Sequence, residues 1–420
     1  MSSPDARPLP LPSLAGAPWL ARPSAVAVFH ALSHAGWPAR AVGGAVRNTL
    51  LGRPVADVDI ATPASPHDVI TACTADGLSC VATGIDHGTV TVLSGSDTYE
   101  VTTLRRDVST DGRSATVAFT DDWMLDAQRR DFTMNALYCD EDGTLYDPLG
   151  GYPDLLARRI RFIGDADARI AEDYLRILRF FRFHAELGLG DADPAALVAC
   201  SRGRNGLAHL SAERVRAEMM RLLVADRAVD AIGAMADCGL LPNVLGTAPR
   251  LNLFAAIVRA EGNSGRPPDP MLRLSALAIA VEEDAERIAH RWRLSRAERD
   301  ALIVIDARLA AAFNDLDPPS ARRLLYRLGP ARWRQSCLAL SAMATTPADR
   351  AAATSHLDLP THWQVPTFPL RGADILAAGV SPGPRVGDLL TRVNDWWIET
   401  DFPAEPEVRA KLAELLSDPA

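Results

Sequence analysis

The chain has 420 residues, of which 48% are hydrophobic and 23% charged, an ordinary globular composition long enough for two or three packed domains. Apolar runs stay shorter than the roughly eighteen residues that a membrane-spanning helix needs. The net charge of −9 excludes a uniformly basic surface. Arginines nevertheless cluster in Arg158–Arg182, Arg202–Arg221 and Arg322–Arg334, so nucleic-acid binding stays open.

In chain order, residues 1–22 are Pro-rich, lack the pattern of a secretory signal, and read as a loosely held leader. Cysteines at 73, 80, 139, 200, 238 and 337 form no CxxC pair and no zinc spacing. Reduced thiols and a cytoplasmic protein follow as the expectation. Residues 23–150 mix helix and strand: VGGAVRNTLLG reads as a turn opening a helix, VADVDIAT, GTVTVL and YEVTTL as strands. This predicts an α+β head. Strand signals then fade, and amphipathic runs such as AEDYLRILRFFRFHAEL predict an all-α remainder, divided into a neck over 151–225 and a body and tail over 226–420. Breaks fall at Asn205-Gly206, Gly262–Pro270, Pro318-Pro319 and Pro360–Pro369.

Asp57 and Asp59 stand two apart in VADVDIAT, so a strand projects both carboxylates from one face. Neighbouring carboxylates repel unless a cation lies between them. Magnesium takes one or two carboxylates together with substrate phosphates. A pair of such ions activates a hydroxyl and neutralises a leaving pyrophosphate. A DxD on its own is more often a solvated turn. Upstream, Gly43 and Gly44 allow backbone to approach a phosphate at a helix start, and Arg47 offers a bidentate contact. A lone GG most often marks only a tight turn. No structural need dictates GGxVR, LLGR and DxDIAT in that order and so close together.

The string VGGAVRNTLLGRPVADVDIAT resembles the signature of class II tRNA nucleotidyltransferases and the related bacterial poly(A) polymerases. The likeness continues in family order through GIDHGTVTVL, YEVTTLRRD, RRDFTMNALY, DPLGGYPDL, EDYLRILRFFRF and LSAERVRAE, then GADILAAGVSPGPRVGDLL and DWWIETDFP. It implies a polymerase-beta-type nucleotidyltransferase sheet with helices, followed by helical neck, body and tail. It also implies magnesium-dependent addition of C, C and A to the 3′ end of tRNA from CTP and ATP. Arg130 takes the family's triphosphate-contacting position, and Arg179 and Arg182 are assigned to nucleotide binding. Residues 105–123 resemble the flexible loop that takes part in switching from CTP to ATP. Two departures stand out: Asn48 where the family usually has Asp, and Ala56 where a Lys often precedes the first metal-binding Asp.

Glu100, on a predicted neighbouring strand, is the candidate third carboxylate, binding metal or taking the primer hydroxyl's proton; an ordinary exposed Glu is the alternative. Asp131 and Asn135, four apart, are expected to share a helix face and hydrogen-bond ribose hydroxyls, with helix capping as the other reading of Asp131. Asp173 and Arg176, three apart, are expected side by side on a helix. Such spacing usually yields only a surface ion pair. Yet an acceptor beside donors matches the amine-next-to-acceptor edge shared by cytosine and adenine, and rejects guanine and uracil. Glu172, four before Arg176, can hold its guanidinium. Ser211 reads as the N-cap of a neck helix, and Trp396 and Trp397 as core.

Poly(A) polymerases of this superfamily carry a basic RRFR-like run after the first motif and a basic tail. Here the corresponding stretches are SCVATGIDHGTVTVL and AELLSDPA, which favours CCA addition. A-only addition, shared with a C-adding partner, stays open. The paired motifs argue against an inactive RNA-binding paralogue. tRNA, CTP and ATP are the expected partners, with no membrane and no obligate protein partner.

Overall fold

The computed structural model describes residues 10–110, 115–313 and 316–417. By contact density it divides into two compact units, one of residues 1–248 with 291–293, the other of residues 249–290 with 294–420.

The first unit opens with helix α1 (Pro23–His34), β1 (Arg40–Val42), α2 (Gly44–Leu50), β2 (Asp59–Thr62) and α3 (Pro66–Ala75). Ser65 and Asp68 form a capping box at the start of α3, with Pro66 at its first turn, so that this helix begins where the sequence dictates. Strands β3 (Ser79–Gly84), β4 (Thr89–Ser94) and β5 (Asp97–Thr103) follow. Ser94 pairs with Asp97 across a two-residue turn whose Gly95 has φ 61°, a backbone state glycine adopts without strain. Next come β6 (Arg105–Thr110), β7 (Ala115–Phe119), α4 (Trp123–Gln128), β8 (Tyr138–Cys139) and β9 (Leu145–Tyr146).

Among the described residues the sheet has seven strands in the order β3-β4-β5-β2-β1-β8-β9, and β6 and β7 form a separate hairpin. The β2–β5 pair is parallel and places Asp59 opposite Glu100; the others are antiparallel. One sheet face is apolar, with Val58, Ile60, Val90, Val92 and Val101 buried. The predicted flexible loop over 105–123 is therefore largely a paired hairpin. Backbone ladder bonds order β6 and β7, a stabilisation its polar composition did not reveal, and residues 111–114 at its tip lie outside the described residues.

The leader reading needs correcting for residues 10–22. Leu14, Ala17, Trp19 and Leu20 are buried, the Trp19 Nε1–H donates to Thr49 Oγ1 at 2.8 Å, and the Leu14 N–H donates to the Gly143 carbonyl at 2.8 Å. The apolar residues scattered among the prolines find their partners on the head. Residues 1–9 of the predicted leader lie outside the described residues.

Helices α5 (Gly151–Leu156), α6 (Ala166–Glu172), α7 (Leu175–Leu187), α8 (Pro194–Gly203), α9 (Ala212–Leu223), α10 (Ala228–Asp237) and α11 (Leu241–Leu245) complete the unit. Helix α7 carries Phe180 and Phe183 into an aromatic cluster with Phe132 and Phe162, ring centroids 4.9 to 6.4 Å apart. That cluster packs α7 against the segments that carry Phe132 and Phe162. Ser211 stands at the N-cap position of α9, but its side chain makes no capping bond.

The second unit is helical, from Leu251–Ser264 to Glu405–Ser417. One core gathers Leu272, Leu325, Trp333 and Cys337; another gathers Leu389, Val393, Trp397 and Val408. Trp397 is buried as expected, and Trp396 is partly buried against it. The long helix Pro318–Met343 is broken at Gly329, φ 76°, immediately before Pro330. No described helix is long and apolar enough to cross a membrane.

Candidate active site

Strand β2 begins at Asp59, so Asp57 lies on the run leading into it. The alternation of burial nonetheless holds: Asp57 and Asp59 are exposed while Val58 and Ile60 are buried, which keeps the two carboxylates on one face. Glu100, also exposed, pairs in register with Asp59 on the parallel strand and so joins them. Partial burial raises the pKa of Asp59, and the charges of Glu100 and Asp57 raise it further, against the opposing pull of Arg130. Three carboxylates turned to one face of the sheet are hard oxygen donors of the kind divalent cations take.

Gly43 has φ 69° and precedes α2; a Cβ there would lie 3.7 Å from the Asn135 carbonyl oxygen and 3.9 Å from Arg130 Nη1. The tight turn thus brings bare backbone against the Arg130 guanidinium. Gly44 opens α2 and faces no such neighbour. Sequence reasoning missed the group that holds Arg130. Asp126, 1% exposed, accepts from Arg130 Nη2 at 2.8 Å, Arg129 Nε at 2.8 Å and the Tyr138 hydroxyl at 2.8 Å. Burial alone would raise the Asp126 pKa, but the two arginines and Tyr138 outweigh it and hold it at about 2. The acid four residues before Arg130 in WMLDAQRRD was the available signal.

Arg47 donates from Nη1 to Asn135 Oδ1 at 2.7 Å, and from Nε and Nη2 to Asn48 Oδ1 at 3.1 and 2.9 Å. The Asn48 departure therefore still presents an acceptor to Arg47, while its Nδ2 donates to the Pro54 carbonyl at 3.1 Å. Burial and the neighbouring Arg182 pull the Arg47 guanidinium down to about 10, although Asp131 and Glu186 oppose them. Ala56 is exposed.

Asp131 and Asn135 are brought together, though not on the predicted α-helix. Asp131 is outside any helix and Asn135 ends a short 3-10 turn, Thr133–Asn135, yet Asn135 Nδ2 donates to Asp131 Oδ1 at 2.9 Å. The local i,i+4 proximity survives because the Asp131 carboxylate turns back, also accepting the Phe132 N–H at 2.8 Å. Arg179 donates to the other Asp131 oxygen at 2.7 Å. Burial would raise the Asp131 pKa, but Arg179 and Asn135 bring it to about 2. Behind Arg179, Glu218 of α9 lies 3.5 Å from its Nη1 and accepts from Arg182 Nε at 2.5 Å. Arg182 is 2% exposed and also donates to Glu186. Its guanidinium is thus held between two carboxylates inside the fold. The guanidinium carbons of Arg47, Arg179 and Arg182 lie 5.0, 5.3 and 3.9 Å from the Phe183 ring centre, so one aromatic ring seats all three. Neither Glu218 nor Phe183 was singled out from the sequence.

The expected helical pairing of Asp173 with Arg176 does not form. Helix α6 ends at Glu172 and α7 begins at Leu175, leaving Asp173 extended (φ −154°, ψ 106°) in the break. Its Oδ1 accepts the Leu175 N–H at 3.1 Å, and its Oδ2 accepts from Arg214 of α9 at 2.6 Å. Arg176 donates from Nη1 to Glu172 and to the Arg169 carbonyl at 2.8 Å, and from Nη2 to the Arg129 carbonyl at 2.9 Å. Glu172 thus holds Arg176 as its spacing predicted. A capping carboxylate competed with the helix, and periodicity carried no sign of that.

Comparison with known proteins bears on the family and the fold. The Poly A polymerase head domain family matches residues 39–161, and the family described as a probable RNA and SrmB-binding site of polymerase A matches residues 193–252. The mitochondrial CCA tRNA nucleotidyltransferase 1 of Mus musculus is 35% identical over 376 residues, 88% of this chain and 84% of its own. The CCA-adding enzyme of Leuconostoc citreum is 32% identical over 404 residues, 93% of this chain and 95% of its own. The crystal structure of the Bacillus stearothermophilus CCA-adding enzyme in complex with CTP superposes with a TM-score of 0.69 at 31% identity, covering 93% of this chain and 96% of that one. The chain belongs to the family of CCA-adding tRNA nucleotidyltransferases.

Proposed function

We propose that this chain adds C, C and A in turn to the 3′ end of tRNA from CTP and ATP, without a nucleic-acid template, releasing pyrophosphate at each step. The observation that carries the reading is the convergence of Asp57, Asp59 and Glu100 on one face, Asp59 in register with Glu100 and influenced by Arg130. Asp57 and Asp59 are the residues to hold magnesium, and Glu100 is a third ligand or the acceptor of the primer's proton. Bound there, magnesium supplies positive charge to the reacting hydroxyl and to the triphosphate.

The chain's own groups do the rest. The Gly43-Gly44 turn offers backbone to the triphosphate, and Arg130, braced by Asp126, contacts it. Arg47, Asp131 and Asn135 form a hydrogen-bonded row suited to the ribose hydroxyls and the phosphates beside them. As the tRNA 3′-oxygen attacks the α-phosphorus, its proton passes to a carboxylate, and the bond to the bridging oxygen breaks to free pyrophosphate. Asp173 and Arg176 read the base edge from opposite sides of the α6–α7 break rather than along one helix face. Arg214, Glu172 and two backbone carbonyls orient them, and Arg179, Arg182 and Glu218 brace the floor.

We assign residues 23–150 to the head, 151–225 to the neck and 226–420 to the tRNA-binding body and tail. All six cysteines are free thiols, which supports a reducing compartment such as the cytoplasm. The test offers a tRNA ending at the discriminator base to the protein with CTP, ATP, UTP and GTP singly and mixed. Three added residues requiring CTP and ATP together are expected. Long A tracts, or addition of A alone to a tRNA already ending in CC, would transfer the assignment to poly(A) polymerase or to A-only addition.

A further inference from the structure

Three side chains that nucleotide transfer does not use meet on the outer layer of the head. His30 and His34 lie four apart on α1, one turn from each other, with ring centroids 5.5 Å apart. Asp76 is the residue directly after α3. His30 Nδ1 lies 2.9 Å from Asp76 Oδ2, and His34 Nδ1 lies 3.2 Å from Asp76 Oδ1. One carboxylate therefore faces two imidazoles, an oxygen to each, and one potential ligand atom from each residue falls within 4.8 Å of the other two. The imidazoles are open to solvent, 66% and 70% exposed, while Asp76 is 20% exposed and held against the protein.

We propose that His30, His34 and Asp76 form a binding site for a divalent transition-metal ion of the zinc type, joining α1 to the end of α3. Tetrahedral zinc with bonds of about 2.0–2.2 Å to nitrogen and oxygen sets its ligands roughly 3.4 Å apart. The two nitrogen–oxygen separations of 2.9 and 3.2 Å are slightly shorter, so a small outward movement of two exposed rings admits the ion. Histidines at i and i+4 on a helix present their rings on one side, the spacing that helical zinc sites use. Imidazole with one carboxylate selects zinc, copper or nickel over magnesium, which prefers an all-oxygen shell. The site and the carboxylates of Asp57, Asp59 and Glu100 therefore take different ions. Ligation through Nδ1 requires each imidazole to carry its proton on Nε2, so the hydrogen bonds to Asp76 give way to metal bonds. Three protein ligands leave the fourth position to water.

Zinc titration of the untagged, full-length protein tests this, after treatment with a chelator and in excess magnesium to occupy the hard-oxygen site. Calorimetry is expected to show one equivalent of zinc bound, with affinity at least about tenfold weaker in His34→Ala and in Asp76→Asn. Zinc is expected to raise the melting temperature of the wild type and not that of either variant, and metal-free melting curves check that both variants fold. Cobalt in the same site is expected to show d–d bands without thiolate charge transfer. The proposal is overturned if the wild type takes up no zinc in excess magnesium, or if both folded variants bind it as tightly. A thiolate band from bound cobalt also overturns it, because it moves the ion to the cysteines.

Discussion

Asp126 shows how much of the site depends on one buried carboxylate. It accepts from Arg129, Arg130 and Tyr138, so its charge fixes the guanidinium beside the Gly43 turn. Asp126→Asn keeps the size and removes the charge. We expect its KM for CTP and ATP to rise at least about tenfold, the effect of losing roughly 1.4 kcal/mol of charge-assisted contact, measured by steady-state incorporation. The same carboxyl sets a pH dependence. Its folded pKa of about 2 lies below the ordinary 3.8, so the charged form stabilises the fold, by about 2 kcal/mol, above pH 3.8 and loses that contribution as pH falls toward 2. Denaturation of wild type and Asp126→Asn should therefore differ most above pH 4 and converge in acid; a constant difference across that window would contradict the assignment. Asp173 makes a separate prediction. Asp173→Ala removes the acceptor between Leu175 N–H and Arg214, and single-nucleotide assays should show discrimination against UTP falling by one to two orders of magnitude.

At the scale of elements, the break between α6 and α7 is the feature on which base reading depends. A Cβ at Gly206 would lie 2.1 Å from the Tyr174 ring, and Tyr174 follows Asp173. Only glycine lets that ring settle under the break. Gly206→Ala should force Tyr174 to shift, destabilise the fold by about 1–3 kcal/mol and disturb Asp173 with it. Unfolding curves read the first effect, and loss of CTP-over-UTP preference in the folded fraction reads the second. The elements also show where sequence reading succeeded. The period-two pattern of VADVDIAT made Asp57 and Asp59 share a face, because alternation across a strand is a local property that persisted even before the first ladder bond. Helical period predicted the Glu172–Arg176 contact for the same reason. It failed one residue later, since Asp173 spends its carboxylate on a backbone N–H and ends α6 instead of continuing it.

Across the whole molecule, the two compact units have separate cores, and the residues assigned to chemistry all belong to the first. The N-terminal run helps to hold that unit together. Trp19 is 2% exposed and bonded to Thr49 on the helix that follows the glycine turn. Trp19→Ala should cost about 3–5 kcal/mol by loss of a large buried ring, measured by chemical denaturation. Base preference in the surviving folded protein should be unchanged, because the Trp19 indole bonds to Thr49, while Asp173 and Arg176 are held by other residues.

By itself the sequence determined the α+β head with its helical sequel, the alternation that turns Asp57 and Asp59 to one face and the motif series that marks the family. These rest on short-range periodicity and on residue chemistry, both written along the chain. Tertiary structure alone decided that Asp59 faces Glu100, that Asp126 and Glu218 brace the arginines, that Phe183 seats three of them, and that Arg214 orients Asp173. Those contacts join residues far apart in sequence or turn on which side chain wins a buried carboxylate. That competition is settled by packing and desolvation, and spacing along the chain does not encode it.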